Sequence, residues 1–365
     1  MSEWQTFCLK DLGKIVGGAT PPTNNPKNYG NKIAWITPKD LSTLQGRYIK
    51  KGSRSISRLG FKSCSCVLLP KHAILFSSRA PIGYVAIAEK RLCTNQGFKS
   101  IIPNKKIYFE FLYYLLKYHK DNISNIGGGT TFKEVSGATL GLFEVKIPPT
   151  YYEQQKIART LSVLDQKIEN DHKINELLHT LAYKIYEYYF KYKPKNAKLE
   201  QIIIENPKSS IMVKNAQKTQ GKYPFFTSGD NILSYPKAII DGRNCFLNTG
   251  GNAGIKFYVG KASYSTDTWC ICANEFSDYL YLLLSSIKNH INQSFFQGTS
   301  LKHLQKNLLK KYPIYMPSAH EIKKFNQMIM PLLTLISINT RTSKKLEQVR
   351  DFLLPLLLTQ QVKPE

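Results

Sequence analysis

The sequence predicts an α+β protein made of two tandem mixed α/β domains that are separated by two long, coiled-coil-like helices. Three observations predict this arrangement: a length of 365 residues, an internal repeat, and a helical apolar periodicity after each copy of the repeat. A chain of this length can bury two hydrophobic cores without disulfides or metals. We therefore expect two domains and two connecting helices.

The internal repeat consists of matched segments at similar spacing in the two halves of the chain. Residues 75–85 (LFSSRAPIGYV) correspond to 246–256 (FLNTGGNAGIK), because each segment has an apolar start, a small polar turn and a glycine. Farther on, 129–133 (GTTFK) corresponds to 298–302 (GTSLK), and 145–148 (VKIP) to 314–317 (IYMP). Repeats of this size indicate architecture directly, so we expect two diverged copies of one plan.

Both copies are followed by a predicted long helix. Thr150 with Glu153, and Ser318 with Glu321, form capping boxes that start the two helices. Narrow apolar stripes follow, of the kind that helices use to pair. The residues predicted to pair the helices or to bind a partner are Ile157, Leu161, Leu164, Ile168, Ile329, Leu332, Ile336 and Leu346. The alternative is that each stripe only covers the core of its own domain.

The periodicity also predicts where each helix is interrupted. In the first helix, Ile174, Leu178, Leu181 and Ile185 resume the stripe one residue out of phase. In the second, an interior proline costs about 3 kcal/mol, so we expect a kink or break at Pro331 and a stop at Pro355. An uninterrupted helix of about 40 residues would be about 60 Å long and could hold two domains apart.

The predicted division of the chain has five parts. A first domain spans residues 1–149, a spacer helix 150–190, a basic linker 191–198, a second domain 199–317 and a C-terminal helix 318–365. Within the domains, β-prone runs at 73–76, 84–88, 244–247 and 269–273 alternate with predicted helices at 109–116 and 279–287. This mixture is typical of α+β domains.

The charge of the chain points to a polyanionic partner. Lys and Arg number 51 against 25 Asp and Glu, a net charge of +26, which favours a nucleic acid without choosing between DNA and RNA. The N-terminus lacks the pattern of a signal peptide, and no apolar run is long enough to span a membrane. We therefore expect a cytoplasmic protein with reduced thiols and no membrane partner.

Several short motifs resemble the specificity subunits of type I restriction-modification systems. Residues 12–21 (LGKIVGGATP) with 33–41 (IAWITPKDL) are similar to the start of a target-recognition domain, and 148–157 (PPTYYEQQKI) is similar to the start of the central spacer helix of that family. The order of domain, helix, domain and helix matches as well. One departure is that the second copy lacks the GGATP opening and begins instead with 222–230 (KYPFFTSGD). We infer two different half-sites, and so an asymmetric target.

The resemblance implies a non-catalytic subunit whose two domains read the halves of a split double-stranded DNA target. It further implies antiparallel spacer helices that fix the unread gap, and partnership with two methyltransferase subunits and with restriction subunits. No cofactor is expected on this chain; S-adenosylmethionine, Mg²⁺ and ATP are expected only on those partners. The alternatives are the recognition subunit of a related type II system with methylase and nuclease in one polypeptide, or a basic RNA-binding scaffold.

The residues predicted to bind DNA lie on or beside predicted turns, where polar side chains reach bases and Lys or Arg reach phosphates. They are Lys39, Arg54, Arg58, Ser77, Ser78, Arg79, Thr130, Thr131, Lys133, Asn248, Thr249, Asn252, Lys256, Thr299, Ser300 and Lys302. The GTTFK and GTSLK segments could instead be structural turns that the two copies share.

No catalytic or metal site is predicted. The sequence contains no NPPY or DPPY tetrapeptide for amino-methylation, no GxGxxG loop and no phosphate-binding loop with a following lysine. Its seven histidines are scattered, and the C-x-C pairs at Cys64/Cys66 and Cys270/Cys272 lack companions at metal-binding spacing. We therefore expect catalysis to belong to partner subunits.

Overall fold

The computed structural model describes residues 3–79, 81–129, 133–219 and 221–364. The chain divides into two compact units. The first unit is Met1–Asn170 with Ser343–Glu365, and the second unit is Asp171–Thr342. The mixed α/β class with two long helices is confirmed. The five predicted domain boundaries stay a prediction.

The first unit is built around a five-stranded sheet. Its strands, in spatial order, are Gly13–Gly17, Lys99–Pro103, Ile74–Phe76, Val85–Ala88 and Tyr48–Ile49, and only the last pair is parallel. A three-stranded sheet contains Arg54–Ile56, Tyr29–Ile36 and Cys93–Thr94, and Gln5–Cys8 pairs with Glu144–Ile147. The short helices are Leu9–Leu12, Pro38–Ser42, Arg58–Lys62 and Gly137–Gly141, and the main helix is Phe109–Asn125.

The second unit repeats this plan with a main sheet of four strands instead of five. Its four-stranded antiparallel sheet has the order Ile204–Glu205, Thr268–Cys272, Arg243–Asn248 and Ile255–Val259. A three-stranded sheet contains Leu233–Tyr235, Tyr223–Phe226 and Ser263–Tyr264, and two short pairs join Ala197–Lys198 to Pro313–Ile314 and Phe296–Gln297 to His303–Leu304. The helices are Val213–Gln217, Ser277–Ser286, Lys288–Ser294 and Lys306–Lys310.

The predicted repeat corresponds to equivalent structure in the two units. The matched segments fold as the central antiparallel hairpins, in which Leu75 pairs with Ala86 and Phe246 pairs with Lys256. A parallel pair recurs in the three-stranded sheets, where Ile36 lies opposite Thr94 and Phe226 opposite Tyr264. Residues 223–226, from the divergent opening of the second copy, therefore form the strand that is equivalent to Tyr29–Ile36 of the first copy.

One helix with an almost wholly apolar stretch supplies the centre of each core. Residues 111–116 of the first unit and 279–284 of the second are buried, which explains why these stretches show little amphipathic pattern. The long helices pack on the same cores: Ile157, Leu161 and Leu354 join the first, and Ile329 and Ile336 join the second. The predicted helices at 109–116 and 279–287 are confirmed, the first being longer than expected.

The central helix spans Tyr151–Tyr186 and continues into a π-helical turn, Glu187–Lys191, while the C-terminal helix spans Ala319–Leu358. Both predicted starts are confirmed. The Glu153 backbone N–H donates to Thr150 Oγ1 at 3.2 Å, and the Glu321 backbone N–H donates to Ser318 Oγ at 3.3 Å. Ser318 N–H in turn donates to Glu321 Oε2 at 2.9 Å, which completes a reciprocal capping box.

The predicted break at Pro331 and stop at Pro355 are wrong, because the C-terminal helix runs through both residues. Each proline leaves the carbonyl four residues earlier without its helical donor. Those carbonyls belong to Gln327 and Asp351, which are exposed, so water can hydrate them. Buried neighbours such as Leu333 and Leu354 hold the helix to the cores and offset the loss.

The predicted change of phase in the central helix is wrong for two of its four residues, whereas Leu178 and Ile185 pack against the second core. Ile174 and Leu181 are 41% and 49% exposed. The original spacing instead continues through Asp171, Asn175, Leu178 and Ala182, of which Asp171 and Ala182 are fully buried. The sequence pattern was misleading because polar Asp171 and Asn175 occupy two positions of the face along which the central helix packs on the C-terminal helix, which we call the seam.

Hydrogen bonding between polar side chains explains how the seam tolerates such residues. The contacts along the seam also show the relative direction of the two long helices in the second unit. Asn339 Nδ2 donates to Asn175 Oδ1 at 2.9 Å, and the rings of Phe190 and Phe325 lie 4.9 Å apart. The later residue of the central helix contacts the earlier residue of the C-terminal helix, so the two helices are antiparallel. In the first unit, Arg350 Nη1 lies 2.6 Å from Asp165 Oδ1.

None of the eight residues predicted to pair the helices is exposed. Ile157, Leu161, Ile168, Ile329 and Ile336 are buried, and Leu164, Leu332 and Leu346 are half-buried. Whether any of them contacts a partner stays a prediction.

Candidate nucleic-acid interface

In the first unit, the turn of the central hairpin meets residues 128–129 and 133–134 at one end of the sheet. We call residues 77–79, 81–83, 128–129 and 133–134 the first loop cluster. Gly128 and Glu134 exchange backbone hydrogen bonds of 3.0 and 2.8 Å, and Val135 N–H donates to Ser78 O at 3.0 Å. The last of these bonds joins Ser78 in the hairpin turn to Val135, which directly follows residues 133–134. Thr130 and Thr131 lie outside the described residues.

The charges of the first loop cluster are partly paired. Arg79 Nη1 donates to Glu134 Oε2 at 3.2 Å, and Lys99 Nζ donates to the other oxygen of the same carboxylate at 3.3 Å. The Arg79 side chain is still partly exposed, and Lys133 is fully exposed. Two cations thus share one carboxylate beside an exposed lysine, which leaves the described part of the cluster positive and suited to phosphate.

The side chains of Ser77 and Ser78 form hydrogen bonds within the protein. Both are fully buried. Ser77 Oγ donates to Pro81 O at 2.8 Å and accepts from Tyr84 N–H at 2.8 Å, while Ser78 Oγ donates to Gly97 O at 3.3 Å. In this conformation the two hydroxyls cannot reach a base edge. They shape the turn that presents Arg79.

Lys39 adjoins the first loop cluster, whereas Arg54 and Arg58 lie on the three-stranded sheet and the helix after it. Lys39 is exposed on the helix Pro38–Ser42, and Pro38 packs on Gly97, whose carbonyl also accepts from Ser78 N–H at 2.8 Å. Arg54 is exposed and stacks on the ring of Tyr29 at 4.2 Å. Arg58 is exposed at the start of the helix Arg58–Lys62.

Asp40 fixes the turn that carries Lys39. Its Oδ2 accepts from Thr37 N–H at 2.7 Å and its Oδ1 accepts from Ser53 N–H at 2.7 Å. Burial raises the pKa of Asp40, but the hydrogen bonds from Ser53 and Thr37 outweigh burial, so the pKa lies below its ordinary value of 3.8. The ionised carboxylate therefore stabilises this turn.

The second unit has an equivalent arrangement, which we call the second loop cluster, residues 248–254 and 298–303. Gly251 N–H donates to Lys302 O at 2.9 Å, and Leu304 N–H donates to Thr249 O at 3.0 Å. Gly251 and Gly298 have φ values of 79° and 139°, which favour glycine. Asn252, Thr299, Ser300 and Lys302 are all exposed. The structure therefore brings together the two repeated motifs in each unit.

Asn248, the first residue of the second loop cluster, and Lys256, which follows the cluster in the chain, hold the loop in shape. Asn248 is buried, and its Nδ2 donates to Asn252 O at 3.1 Å. Lys256 Nζ donates to Thr227 O at 2.9 Å and to Asn248 Oδ1 at 3.3 Å, and burial lowers the pKa of Lys256. Both side chains support the loop, while Thr249 Oγ1 donates to Asp267 O at 2.7 Å at its edge.

Sequence reasoning missed a third loop in the second unit. Residues 227–230 follow the strand Tyr223–Phe226 as residues 37–40 follow the strand Tyr29–Ile36. Ser228 Oγ accepts from Thr249 N–H at 3.1 Å, so this loop borders the second loop cluster. The signal was present, since WITPKD at 35–40 and FFTSGD at 225–230 share a Thr and an Asp at the same spacing.

The long helices expose apolar side chains as well as burying them. In the second unit, Leu177 is 71% and Tyr188 is 83% exposed, and Ile174 and Leu181 lie on the same side of the central helix. In the first unit, Val349 and Phe352 are exposed on the C-terminal helix. Contiguous exposed apolar residues are typical of surfaces that bind another protein.

Among the residues that the structure describes, no group of three or more His, Cys, Asp and Glu side chains is arranged to hold a metal ion. Among the helices of the described ranges, none combines the length and the hydropathy that a membrane span requires.

Comparison with known proteins confirms the family resemblance. The specificity subunit of the type I restriction enzyme MjaIX from Methanocaldococcus jannaschii is 32% identical over all of this chain and 94% of its own length. That of HindI from Haemophilus influenzae is 31% identical over 46% of this chain and 38% of its own length. The crystal structure of a type I restriction-modification S subunit from M. genitalium has the same fold, with a TM-score of 0.64 at 18% identity, and covers 97% of this chain and 96% of its own. The family described as type I restriction modification DNA specificity domain matches residues 1–179 and 195–348. The chain belongs to this family.

Proposed function

We propose that this chain is the DNA-sequence-reading subunit of a type I restriction-modification complex, in which each unit reads one half of a bipartite, asymmetric target. It has no catalytic role of its own. It directs two methyltransferase subunits and the restriction subunits to the site, in the cytoplasm, and S-adenosylmethionine, Mg²⁺ and ATP bind to those partners.

The observation that carries the proposal is the presence of two loop clusters with one construction and different side chains. Each cluster joins the turn of a central hairpin to a glycine-rich segment by backbone hydrogen bonds. The first offers Arg79 and Lys133, and the second offers Asn252, Thr299 and Lys302. Similar frames with unlike side chains are suited to reading unlike half-sites, which is why the target is asymmetric.

Phosphate and base contacts divide between different residues in this proposal. Lysines at exposed loop positions, such as Lys39, Lys133 and Lys302, contact phosphates, which supplies affinity and steep salt dependence. Arg79, Asn252 and Thr299 are suited to base edges, since Arg pairs with guanine and Asn with adenine in the major groove. Buried Ser77, Ser78 and Asn248, together with half-buried Lys256, hold the loops in shape.

The exposed apolar residues of the central helix support the proposed partnership. An isolated subunit would leave Leu177, Leu181 and Tyr188 in water. A methyltransferase subunit that buries this surface would join the chemistry to the recognition without altering the loop clusters. We assign the same kind of role to Val349 and Phe352 in the first unit.

The proposal is tested by assembling the chain with its methyltransferase partner and measuring binding to duplexes that carry the host's bipartite methylation motif. Deleting the gene should remove that motif from the methylome. The assembled complex should bind the intact duplex much more tightly than duplexes with either half scrambled, and affinity should fall steeply as salt rises. Equal affinity for the intact and scrambled duplexes would contradict the proposal. Preferential binding of single-stranded RNA would favour an RNA scaffold, and a single partner with both methylase and nuclease activity would favour a type II context.

A further inference from the structure

The main helix of each unit carries a buried acid as its second residue. Glu110 lies in the helix Phe109–Asn125 and Asp278 in the helix Ser277–Ser286. Both are buried, and the sequences around them match, FEFLYYLL at 109–116 and SDYLYLLL at 277–284. A carboxylate at an equivalent buried position in both copies needs a partner, because an unpaired buried charge is very costly.

In the first unit the partner is Arg47, which is itself buried. Its Nη1 donates to Glu110 Oε1 at 2.9 Å, and its Nε donates to Oε1 of Glu169 on the central helix at 3.2 Å. The backbone N–H of Arg47 donates to the same Glu169 oxygen at 2.9 Å. Tyr48 OH and Tyr108 OH donate to Glu110 at 2.6 and 2.9 Å. One guanidinium thus joins the domain's main helix to the central helix.

In the second unit the partner is Arg243. Its Nε and Nη2 both donate to the Asp278 carboxylate, the first at 2.5 Å. Its Nη1 donates to Thr334 Oγ1 at 2.9 Å, and its Nη2 donates to Met330 O at 3.3 Å, both on the C-terminal helix. Again one guanidinium joins the domain's main helix to the long helix that follows the domain in the chain.

The two arginines come from different places in the repeat. Arg47 precedes the edge strand Tyr48–Ile49, which lacks a counterpart among the described strands of the second unit, whereas Arg243 is the first residue of the central strand Arg243–Asn248. The same connection has therefore been built from non-equivalent residues. Buried ion pairs add little net stability compared with apolar packing, but the planar guanidinium fork fixes direction.

The angle between each domain and its long helix matters because each loop cluster lies at the end of the main sheet that is far from the arginine. The strand that begins at Arg243 ends at Asn248, in the second loop cluster. Five residues of strand span about 17 Å, so a tilt of about 10° at the arginine would move the loop by about 3 Å. That displacement is close to one base-pair step and would break any hydrogen bond to a base.

We propose that Arg47 with Glu110 and Glu169, and Arg243 with Asp278 and Thr334, are positioning residues that set the angle of each recognition domain on its long helix. They hold each loop cluster in register with its half-site and with the gap. This inference rests on the proposed function, and it assigns to buried residues a share in specificity without contact with DNA.

The test replaces each arginine bridge by uncharged groups, so that no charge is left buried alone. The variants are Arg243→Met/Asp278→Leu and Arg47→Met/Glu110→Gln/Glu169→Gln, with Lys310→Met/Glu205→Gln as the matched control. Lys310 and Glu205 form an ion pair within the second unit that does not include either long helix. Thermal unfolding of the full chain verifies that each variant folds.

The readout is the methylation rate of the assembled complex on the cognate duplex and on duplexes changed in one half-site or by one base pair in the gap. The Arg243 variant should lose about ten-fold or more of its discrimination at the half-site read by the second unit and in the gap, and keep that of the other half-site within about two-fold. The Arg47 variant should show the reverse, and the control should match the wild type.

Unchanged discrimination in folded variants, or an equal loss at both half-sites, would overturn the inference while leaving the proposed function intact. A wild-type complex that methylates no bipartite motif would overturn the proposed function and the inference with it.

Discussion

Replacing Asn339 by leucine should not stabilise the helix pair of the second unit, although the change makes the seam more apolar. Asn339 is buried and donates its amide to Asn175 at 2.9 Å. In the Asn339→Leu variant, the Asn175 carbonyl oxygen would lose this donor inside the seam, which costs about 1–3 kcal/mol. Burying the leucine side chain returns about 1.5–3 kcal/mol, so the two effects cancel to within about 1 kcal/mol and we expect no net gain in the free energy of unfolding.

The double variant Asn175→Leu/Asn339→Leu should behave differently. It removes both partners, so no polar group is left unsatisfied, and it fills the seam with apolar side chains. We expect it to equal or exceed the wild type in free energy of unfolding. The two substitutions should therefore be coupled by about 1 kcal/mol or more, as expected for residues in direct contact.

Urea denaturation of the full chain, followed by far-ultraviolet circular dichroism, measures the free energy of unfolding in this cycle. Asn170→Leu is the control, because Asn170 lies on the same helix but is exposed. Additive effects, or a single Asn339→Leu variant that is more stable than the wild type, would refute the reasoning that the pair satisfies a buried polar layer.

Three further predictions test the loops and the proposed partner surface. Lys302→Gln should weaken DNA binding for cognate and scrambled duplexes alike and lower the slope of log affinity against log salt by about one, whereas Lys345→Gln, at an exposed position of the C-terminal helix, should not; a loss confined to one base pair would argue for base reading instead. Asp40→Asn should lower stability near neutral pH, and its difference from the wild type should shrink as pH falls below 3.8 through the lowered pKa of Asp40; a difference that persists in acid would show that the charge is not what stabilises the turn. Leu177→Asp should leave the unfolding temperature unchanged while reducing association with the methyltransferase subunit, as measured by analytical ultracentrifugation; unchanged association would remove Leu177 from the partner surface.

Much of the fold could be predicted from the sequence because the chain repeats itself. The matched hairpin segments, the capping boxes and the main helices each carry a local signal, and two copies of a weak signal reinforce each other. The phase of the central helix could not be predicted, since Asp171 and Asn175 look like surface residues until their partners are known. Likewise, Pro331 and Pro355 look like helix breakers until the packing around them is known.

The candidate interface was predictable by segment but not by side chain. The sequence singled out the turns after Phe76 and Leu247 and the glycine-rich segments as repeated motifs, but it did not predict that they meet. Burial could not be foreseen within those turns: Ser77, Ser78 and Asn248 face inward while Asn252 and Lys302 face outward. A turn of small polar residues gives no periodicity from which the inward side can be inferred.

The central claim is that two units of one chain read two separate halves of one DNA target. The most direct test exchanges residues 199–317 for the corresponding segment of another family member and determines the methylated motif by single-molecule sequencing of the host genome. The account predicts that one half-site changes while the other half-site stays the same. A motif altered in both halves, or in neither, would contradict it.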